Sequence, residues 1–408
     1  MTLNSSSGSS GPASHWRVVG AGLAASLVGI GLARFAYTPL LPVMIDAGWF
    51  DAPVAAFLGA ANLAGYLVGA LAGRRLALAN SSQGVMRLMM LLATVSFIAC
   101  AFPLSAAWFF IWRLLSGVAG GAIMVLVSSL VLPRVPSAQK GLASGAIFLG
   151  IGIGIIVSGT LVPVMLRVSL QATWLAVGFV AMVLTVASWR AWPNENGATN
   201  SGAPAAPRPL RLAAPMRTLL VQYALIAFGL VPEMLFLVDH VVRSLHKGPA
   251  LASQVWIAYG IGAAVGPMLY GIAAHHYGAR VTIRTALVVQ ILAAGALIAS
   301  GGTAEILALA LAIGSFPAGV VPAALARVHE YFEDHDARQR MWGLATVSFA
   351  FMQAASGYFY SSLYQATHGR HVILFGIGAV AYLAALVLDF VAAARAEHRS
   401  ESICASQA

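Results

Sequence analysis

The chain has 408 residues, of which 60% are hydrophobic and only 9% are charged, and its formal net charge is +10. Soluble domains are about 25% charged, so the composition excludes an ordinary soluble protein and indicates one that crosses a lipid bilayer many times. The basic residues are spread between apolar segments, which is typical of membrane topology rather than of a nucleic-acid surface. We therefore expect no nucleic-acid partner. The two cysteines, Cys100 and Cys404, are too few for a disulfide framework.

Apolar runs of about 20 residues, the length that crosses a bilayer as a helix, occur repeatedly along the chain and predict twelve spans. They lie near residues 18–44, 53–73, 84–103, 106–132, 140–166, 171–192, 218–242, 250–274, 282–302, 304–327, 341–365 and 371–394. Because the stretch before the first run is rich in Ser and Gly and has no basic residue in 1–15, we expect an uncleaved first span and no signal peptide.

A polar stretch at 193–217, rich in Pro, Gly, Ala and Asn, separates the first six spans from the last six. Such a composition has no core of its own and predicts a flexible cytoplasmic linker. The predicted organisation is a disordered cytoplasmic tail at 1–17, a six-helix bundle at 18–192, the linker, a second six-helix bundle at 218–394 and a cytoplasmic tail at 395–408.

Basic residues in the loops favour the side that carries the N-terminus. On the opposite side the predicted loops hold only Arg167, Arg243, Lys247 and Arg370. By the positive-inside rule, this bias predicts that both termini are cytoplasmic.

The two halves repeat the same glycine pattern at one offset. Gly69 and Gly271 occupy the same place in the second and eighth spans, and Gly117 and Gly319 do so in the fourth and tenth. The fifth and eleventh spans open with G-L-A-S and G-L-A-T at the same offset. Three matches in corresponding spans indicate internal duplication. The predicted fold is an all-α membrane protein with twelve transmembrane helices in two pseudo-symmetric six-helix bundles, and a site between them.

These features resemble the major facilitator superfamily over nearly the whole chain. The family's loop 2–3 motif, G-x-L-a-D-x-x-G-[RK], is similar to G-A-L-A-G-R-R-L at 69–76 and to G-I-A-A-H-H-Y-G-A-R at 271–280. Gly73 and His275 stand where the family has an acid, so the family's charge relay is altered here. The resemblance gives conformational roles to Gly69, Arg74, Arg75, Gly271, Gly278 and Arg280.

Two further motifs point to proton-coupled exchange. R-L-L-S-G-V-A-G-G at 113–121 is similar to the family's R-x-x-x-G motif, whose arginine is often tied to proton coupling; this implies the same role for Arg113. Gly141, Gly150 and Gly154 resemble the antiporter motif of the drug-exporter branch with its proline missing. The opening span, Asn62 and A-G-Y-L-V-G-A at 64–70 resemble the bacterial YbfB/YjiJ subfamily, which implies a multi-pass protein of the bacterial inner membrane.

Arg34 lies inside the first predicted span. A charge near the bilayer centre costs about 2.5–3.5 kcal/mol on insertion scales, so it usually faces a wet or paired interior. Tyr37 and Thr38 follow at i+3 and i+4 and share its helix face. Because a guanidinium matches a carboxylate or phosphate, this face predicts a substrate clamp or gate. The alternative is an internal ion pair that locks two helices.

Glu233 is interpreted as the only acid well inside a span, at a depth similar to that of Arg34 in the other half. This placement predicts an Arg34–Glu233 pair across the pathway and a proton-coupling role for Glu233. His240 follows two turns later and is expected to extend the same face. Asp239 and Arg243, at i and i+4, are interpreted as an ion pair at the outer surface.

Arg113 has an alternative interpretation as a snorkelling side chain near the membrane interface. Further polar and aromatic candidates for the cavity, each also explicable as a packing contact, are Asn62, Gln222, Gln353, Tyr66, Tyr223, Trp256, Tyr259, Tyr358 and Tyr360.

No nucleotide-binding loop, nucleophile elbow or CxxC pair is present, and the His- and acid-rich residues 327–340 are interpreted as a solvated loop without a metal. We therefore predict no enzyme and no cofactor. The expected protein is a monomeric, proton-coupled secondary transporter in the lipid bilayer that moves a small organic solute, preferably an anion, by alternating access. The alternatives are a multidrug antiporter exchanging lipophilic cations for protons, a membrane-embedded enzyme and a nontransporting sensor.

Overall fold

A computed structural model describes residues 12–193, 214–332 and 334–407, and its secondary structure in these residues is entirely helical. We label the spans α1 to α12 in chain order. They are α1 (Pro12–Ser26, Leu27–Leu32 and Tyr37–Asp46), α2 (Ala52–Ala79), α3 (Ser82–Cys100), α4 (Ala106–Val131), α5 (Lys140–Met165), α6 (Leu170–Ser188), α7 (Ala214–Asp239 and His240–Ser244), α8 (Gly248–Tyr277), α9 (Ala279–Ala299), α10 (Thr303–Tyr331), α11 (His335–Ala366) and α12 (His371–Gln407).

Every span except α11 is long and apolar enough to cross a membrane, counting only the described residues. α11 is long enough at 32 residues but is less apolar than the others. The predicted fold class, twelve helices in two six-helix bundles, is confirmed. Most of the predicted linker at 193–217 and of the tail at 1–17 lies outside the described residues. The first helix begins at Pro12, ahead of the predicted start at 18, and α12 continues as a helix to Gln407.

The internal duplication is visible in how the helices pack. α2 packs most extensively on α4 in the first bundle, and α8 packs most extensively on α10 in the second. These pairs correspond to each other under the repeat. Between the bundles, α5 packs on α8 and α2 packs on α11, which are again two symmetry-related contacts. The bundles therefore meet along two pairs of helices, with α1 and α7 between them.

Small residues permit the close approach within each bundle, as is usual in membranes. A Cβ atom added at Gly69 of α2 would lie 2.0 Å from the carbonyl oxygen of Val118 in α4. In the second bundle the corresponding contact falls on Gly266, where a Cβ would lie 2.1 Å from the carbonyl oxygen of Ser315. Gly271, the sequence counterpart of Gly69, has open space around it. The glycine repeat thus marks the correct helices but not the same contact.

The α-helix of α1 is interrupted next to Arg34. Leu27–Leu32 forms a π-helical stretch, and the regular helix resumes only at Tyr37. Such irregular turns are frequent at functional sites. The carbonyl oxygen of Ala33 is turned to side chains instead, and it accepts hydrogen bonds from Arg113 and Asn62. Backbone freed at membrane depth needs partners of this kind.

The bundles touch each other from their middle to the outer end, by which we mean the end that carries the α1–α2 connection and is predicted to face away from the cytoplasm. Thr38 of α1 donates to the carbonyl oxygen of Met234 in α7 at 2.6 Å. Trp256 of α8 donates through Nε1 to Ser158 Oγ of α5 at 3.1 Å. Phe57 of α2 and Tyr358 of α11 approach at the outer end. The conformation is therefore closed at the outer end.

Candidate functional site

Arg34 lies between the two bundles, as predicted from the cost of its charge. Its Nη1 donates to Gln353 Oε1 of α11 at 2.9 Å, and its guanidinium lies 4.2 Å from the centre of the Tyr66 ring. Nη2 is buried and has no hydrogen-bond partner among the described residues. The guanidinium thus joins the first bundle to the second through a neutral amide and keeps one donor free.

An aromatic wall lies beside this guanidinium. Trp256 and Tyr259 of α8 stack with ring centres 4.8 Å apart, and Phe35 of α1 lies 6.1 Å from Trp256. Tyr259 is within electrostatic range of both Arg34 and Glu233, and its buried hydroxyl has no hydrogen-bond partner among the described residues. The two unpartnered donors, Arg34 Nη2 and Tyr259 Oη, are groups that a bound solute can satisfy.

Three predicted site residues support the break in α1. Arg113 is only 2% exposed, donates to the Ala33 carbonyl oxygen at 2.7 Å and lies 4.3 Å from the Tyr37 ring centre. The alternative of a snorkelling arginine is therefore wrong, because the side chain turns inward to the freed carbonyl. Asn62 donates to the same carbonyl and to Ser116 Oγ, and the Tyr37 hydroxyl donates to the Ala55 carbonyl. All of these contacts stay within the first bundle.

Glu233 is buried inside the second bundle, with a neutral environment. Its Oε2 accepts from Gln290 Nε2 of α9 at 2.6 Å and from the Tyr382 hydroxyl of α12 at 3.1 Å. Among the described residues it has no cationic partner. The hypothetical Arg34–Glu233 pair is absent in this conformation, because Glu233 turns toward α9 and α12 while Arg34 bonds to Gln353.

The residues near the end of α7 depart from the expected surface ion pair. Asp239 is fully buried and accepts from the Tyr364 hydroxyl and from His371 Nε2, both at 2.7 Å. Arg243 only approaches it, with Nε 4.0 Å from Oδ1. The interpretation of Asp239 as a surface group was wrong, since α11 and α12 cover it. His240 is also buried, and its ring lies 5.4 Å from that of His371. It is not among the hydrogen-bond partners of Glu233, which are Gln290 and Tyr382.

The remaining predicted residues lie in helix contacts or toward the inner end. Tyr223 packs on Phe349, with ring centres 4.6 Å apart, toward the inner end. A Cβ added at Gly154 of α5 would lie 2.6 Å from the Cα of Gly31 in α1, and one at Gly150 would meet the carbonyl oxygen of Leu23. Gly141 has open space, Arg74 and Arg75 are exposed, and Gly278 ends α8 with a φ of 84°.

One charged cluster was missed altogether. Asp389 of α12 is fully buried and pairs with Arg327 of α10 at 2.5 Å and with Arg284 of α9 at 2.6 Å, while Arg280 lies 3.9 Å away. Glu233 is therefore not the only acid deep in a span, and Arg327 belongs to a helix instead of a loop. An acid well inside the predicted twelfth span was the available signal. No group of three or more potential metal ligands occurs among the described residues.

A two-bundle helical protein with an unsatisfied polar centre between its halves is the architecture of a membrane transporter. The family model described as "Uncharacterised MFS-type transporter YbfB" matches residues 26–389. The chain belongs to this family of the major facilitator superfamily, and it is a multi-pass membrane transporter.

The comparison with solved structures agrees with the fold. A crystal structure of the nucleoside transporter NupG, in a mutant form, superposes with a TM-score of 0.73 and covers 93% of this chain and 99% of that one, at 16% sequence identity. At this identity the likeness shows the fold alone. No curated protein matches the chain.

Proposed function

We propose that the protein is a proton-coupled secondary transporter that moves a small organic anion by alternating access. The observation that carries the proposal is the state of Arg34, a buried cation whose nearest partners are a neutral amide and an aromatic ring. A buried charge without a counter-charge is costly. Arg113 lies within electrostatic range and adds a second positive charge. A carboxylate or phosphate bound here would neutralise the guanidinium and use its free Nη2.

Glu233 is the proposed coupling acid. Its carboxyl group is held by neutral donors only, in a site where the cost of charge depends on access to water. The next residue, Met234, supplies the carbonyl that Thr38 binds across the bundle interface. Opening of the outer end breaks this bond beside Glu233. Protonation of Glu233 and the closure of the outer end are therefore linked through one turn of α7.

Alternating access requires the bundles to part at one end and meet at the other. The contacts that now join the outer ends are single hydrogen bonds, an aromatic contact and small-residue packing, and among the described residues no ion pair joins the two bundles. Such contacts separate at modest cost. The loop charges support a placement in the bacterial inner membrane with both termini cytoplasmic, and one chain supplies both bundles, which supports a monomer.

A multidrug antiporter is the second candidate, and the aromatic wall of Phe35, Trp256 and Tyr259 favours it. Aromatic faces attract organic cations. Arg34 disfavours it, because a guanidinium with no acid partner repels a cation at the same site. The substrate charge therefore separates the two candidates.

The test is a substrate screen on purified protein reconstituted in liposomes, recording substrate-induced currents with pools of carboxylates, organic phosphates, nucleosides and lipophilic cations. We expect a response to an anion pool that disappears in Arg34→Gln. A response to lipophilic cations alone, retained in Arg34→Gln, would overturn the anion assignment in favour of the antiporter.

A further inference from the structure

A polar cavity of about 330 Å³ lies at the outer end, where the two bundles meet. The first bundle contributes only Ala52 and Pro53, at the start of α2. The second bundle contributes the polar lining from the ends of α7 and α11 and the start of α12. These residues are Arg243, Ser244, Tyr364, Gln365, His368 and His371. The cavity is large enough for several waters, and α2 forms its wall on one side.

A chain of hydrogen bonds leads from this cavity into the second bundle. Ser244 is exposed, and its Oγ lies 2.7 Å from His371 Nδ1. The other ring nitrogen, Nε2, lies 2.7 Å from Asp239 Oδ2, and Tyr364 donates to the same oxygen. Asp239 and His371 are buried, with exposed fractions of 0% and 2%. The network therefore connects solvent with a buried carboxyl group, and among the described residues no hydrogen bond or ion pair joins these four residues to Arg34 or Glu233.

We propose that Asp239 and His371 form a second proton-binding site, filled from the outer side through Ser244. The proposal rests on the proton coupling proposed above and adds a site distinct from Glu233. A hydronium ion in the cavity passes a proton to Ser244 Oγ and becomes water, Ser244 passes its own proton to His371 Nδ1, and His371 Nε2–H passes its proton to Asp239 Oδ2. One proton enters, the carboxylate becomes a carboxylic acid, and the imidazole stays neutral with its hydrogen on the other nitrogen.

The charged and titratable surroundings of the pair suit a single bound proton. On α7, Arg243 lies 4.0 Å from Asp239 Oδ1, and the His240 ring lies 5.4 Å from that of His371. α11 presents the Tyr364 hydroxyl, and His368 lines the cavity beyond it. α2 presents no titratable side chain to the cavity, since the Asp51 carboxylate caps its own helix at Val54.

The position of the cavity makes the width of the path to this site vary with the transport cycle. In the present conformation the start of α2 closes one side of the cavity, because the bundles meet at the outer end. When the bundles part there, α2 moves away and the cavity beside the pair opens more widely to the outer solution. Asp239 lies six residues after Glu233 on α7, so a proton bound at the outer end changes the charge on the helix that carries the coupling acid.

The test is infrared difference spectroscopy on the full-length protein in lipid bilayers as the pH is stepped between acidic and alkaline values. Protonation of a carboxylate creates a carboxylic-acid C=O band. We expect a pH-dependent band that is lost in Asp239→Asn and is retained in Glu233→Gln. His371→Gln should move the pH at which this band forms, because it removes the imidazole that donates to Asp239 Oδ2. His368→Gln, which lines the same cavity outside the network, serves as the matched control and should leave the band in place.

Sidedness is measured with sealed vesicles that contain uniformly oriented protein. A pH jump on the outer side alone should produce the Asp239 band, and Ser244→Ala should slow its appearance. If thermal unfolding showed that Asp239→Asn does not fold, Asp239→Glu would replace it, because a longer acid keeps the band but shifts its frequency.

The outcomes separate the two proposals. A spectrum in which Asp239→Asn removes no band, or in which the band follows only the inner pH, would overturn the outer proton site and leave the role of Glu233 standing. An Asp239 band together with transport that ignores a pH gradient would instead overturn the proton coupling of the proposed function.

Discussion

The two bundles have the same helical plan but differ in the charges that they bury. In the first bundle the buried charges are Arg34 and Arg113, and the described acids, Asp46 and Asp51, are both exposed. The second bundle buries three acids, of which Asp389 is paired with arginines and Glu233 with neutral donors only. A duplicated scaffold has thus diverged into one half that offers positive charge at the interface and one that offers carboxyl groups. This difference matches the proposed roles, in which the first bundle binds the solute and the second binds the protons.

The largest effect should come from removing the free cation of the first bundle. Arg34→Gln is expected to lower transport by about 100-fold, because hydrogen bonds to charged groups contribute about 1.5–3 kcal/mol and each 1.4 kcal/mol is tenfold. Arg34→Lys should retain an intermediate rate, since it keeps the charge but loses the planar fork. Initial rates in proteoliposomes measure both. Arg167→Gln, at an exposed loop arginine, is the control. Equal rates in all variants would contradict the proposal that the first bundle binds the solute through Arg34.

The second prediction concerns the acid of the other bundle. Glu233→Gln keeps a neutral group that fits beside Gln290 and Tyr382 but cannot release a proton. Solute exchange should continue, while uptake against a gradient should cease; one pH unit corresponds to about tenfold accumulation for one coupled proton. Accumulation with and without an imposed pH gradient measures this, with Glu305→Gln, an exposed acid on α10, as the control. Unchanged accumulation in Glu233→Gln would place the coupling acid elsewhere.

The third prediction compares one repeated glycine in each bundle. Gly69→Ala forces a methyl group against the Val118 carbonyl, and overpacking of this kind costs about 1–3 kcal/mol. Gly271→Ala enters open space and should be neutral or stabilising by about 0.5–1 kcal/mol, since alanine favours the helix. Thermal unfolding in detergent distinguishes them. If both variants unfold at one temperature, the α2–α4 contact is less rigid than its geometry indicates.

Much of the fold could be predicted because span length and loop charge act on whole segments. Twelve spans and the duplication follow from apolar runs and from glycines at one offset. The equivalence of contacts did not follow: α8 approaches α10 at Gly266, not at Gly271. A repeat in sequence identifies corresponding helices, whereas the crossing point depends on how each helix rotates against its neighbour.

The site was predicted only in part, because a sequence gives the depth of a residue better than its direction. Arg34 was identified from the cost of its charge and Gln353 as a polar group within a span, and the structure brings them together. The partners of Glu233 were missed, since Gln290 and Tyr382 are common as packing residues. Arg284 and Arg327 lie near the predicted cytoplasmic ends of their helices, where the sequence does not distinguish them from loop charges. Arginines at helix ends reach inward to Asp389, and a count of loop charges does not separate these from solvated ones.

The smallest expected effect concerns the bond that joins the two unlike halves at the outer end. Thr38→Val removes the hydroxyl that donates to the Met234 carbonyl and keeps the side chain's shape. A net hydrogen bond contributes about 1 kcal/mol, so the population open at the outer end should rise by about fivefold. Distances between spin labels at Asp46→Cys and Lys247→Cys, with Cys100 and Cys404 replaced, measure that population. The control is Thr160→Val, because the Thr160 hydroxyl bonds only within α5. If Thr38→Val had the same distance distribution as the unchanged protein, the packing of α2 on α11 and of α5 on α8 would hold the bundles together without this bond.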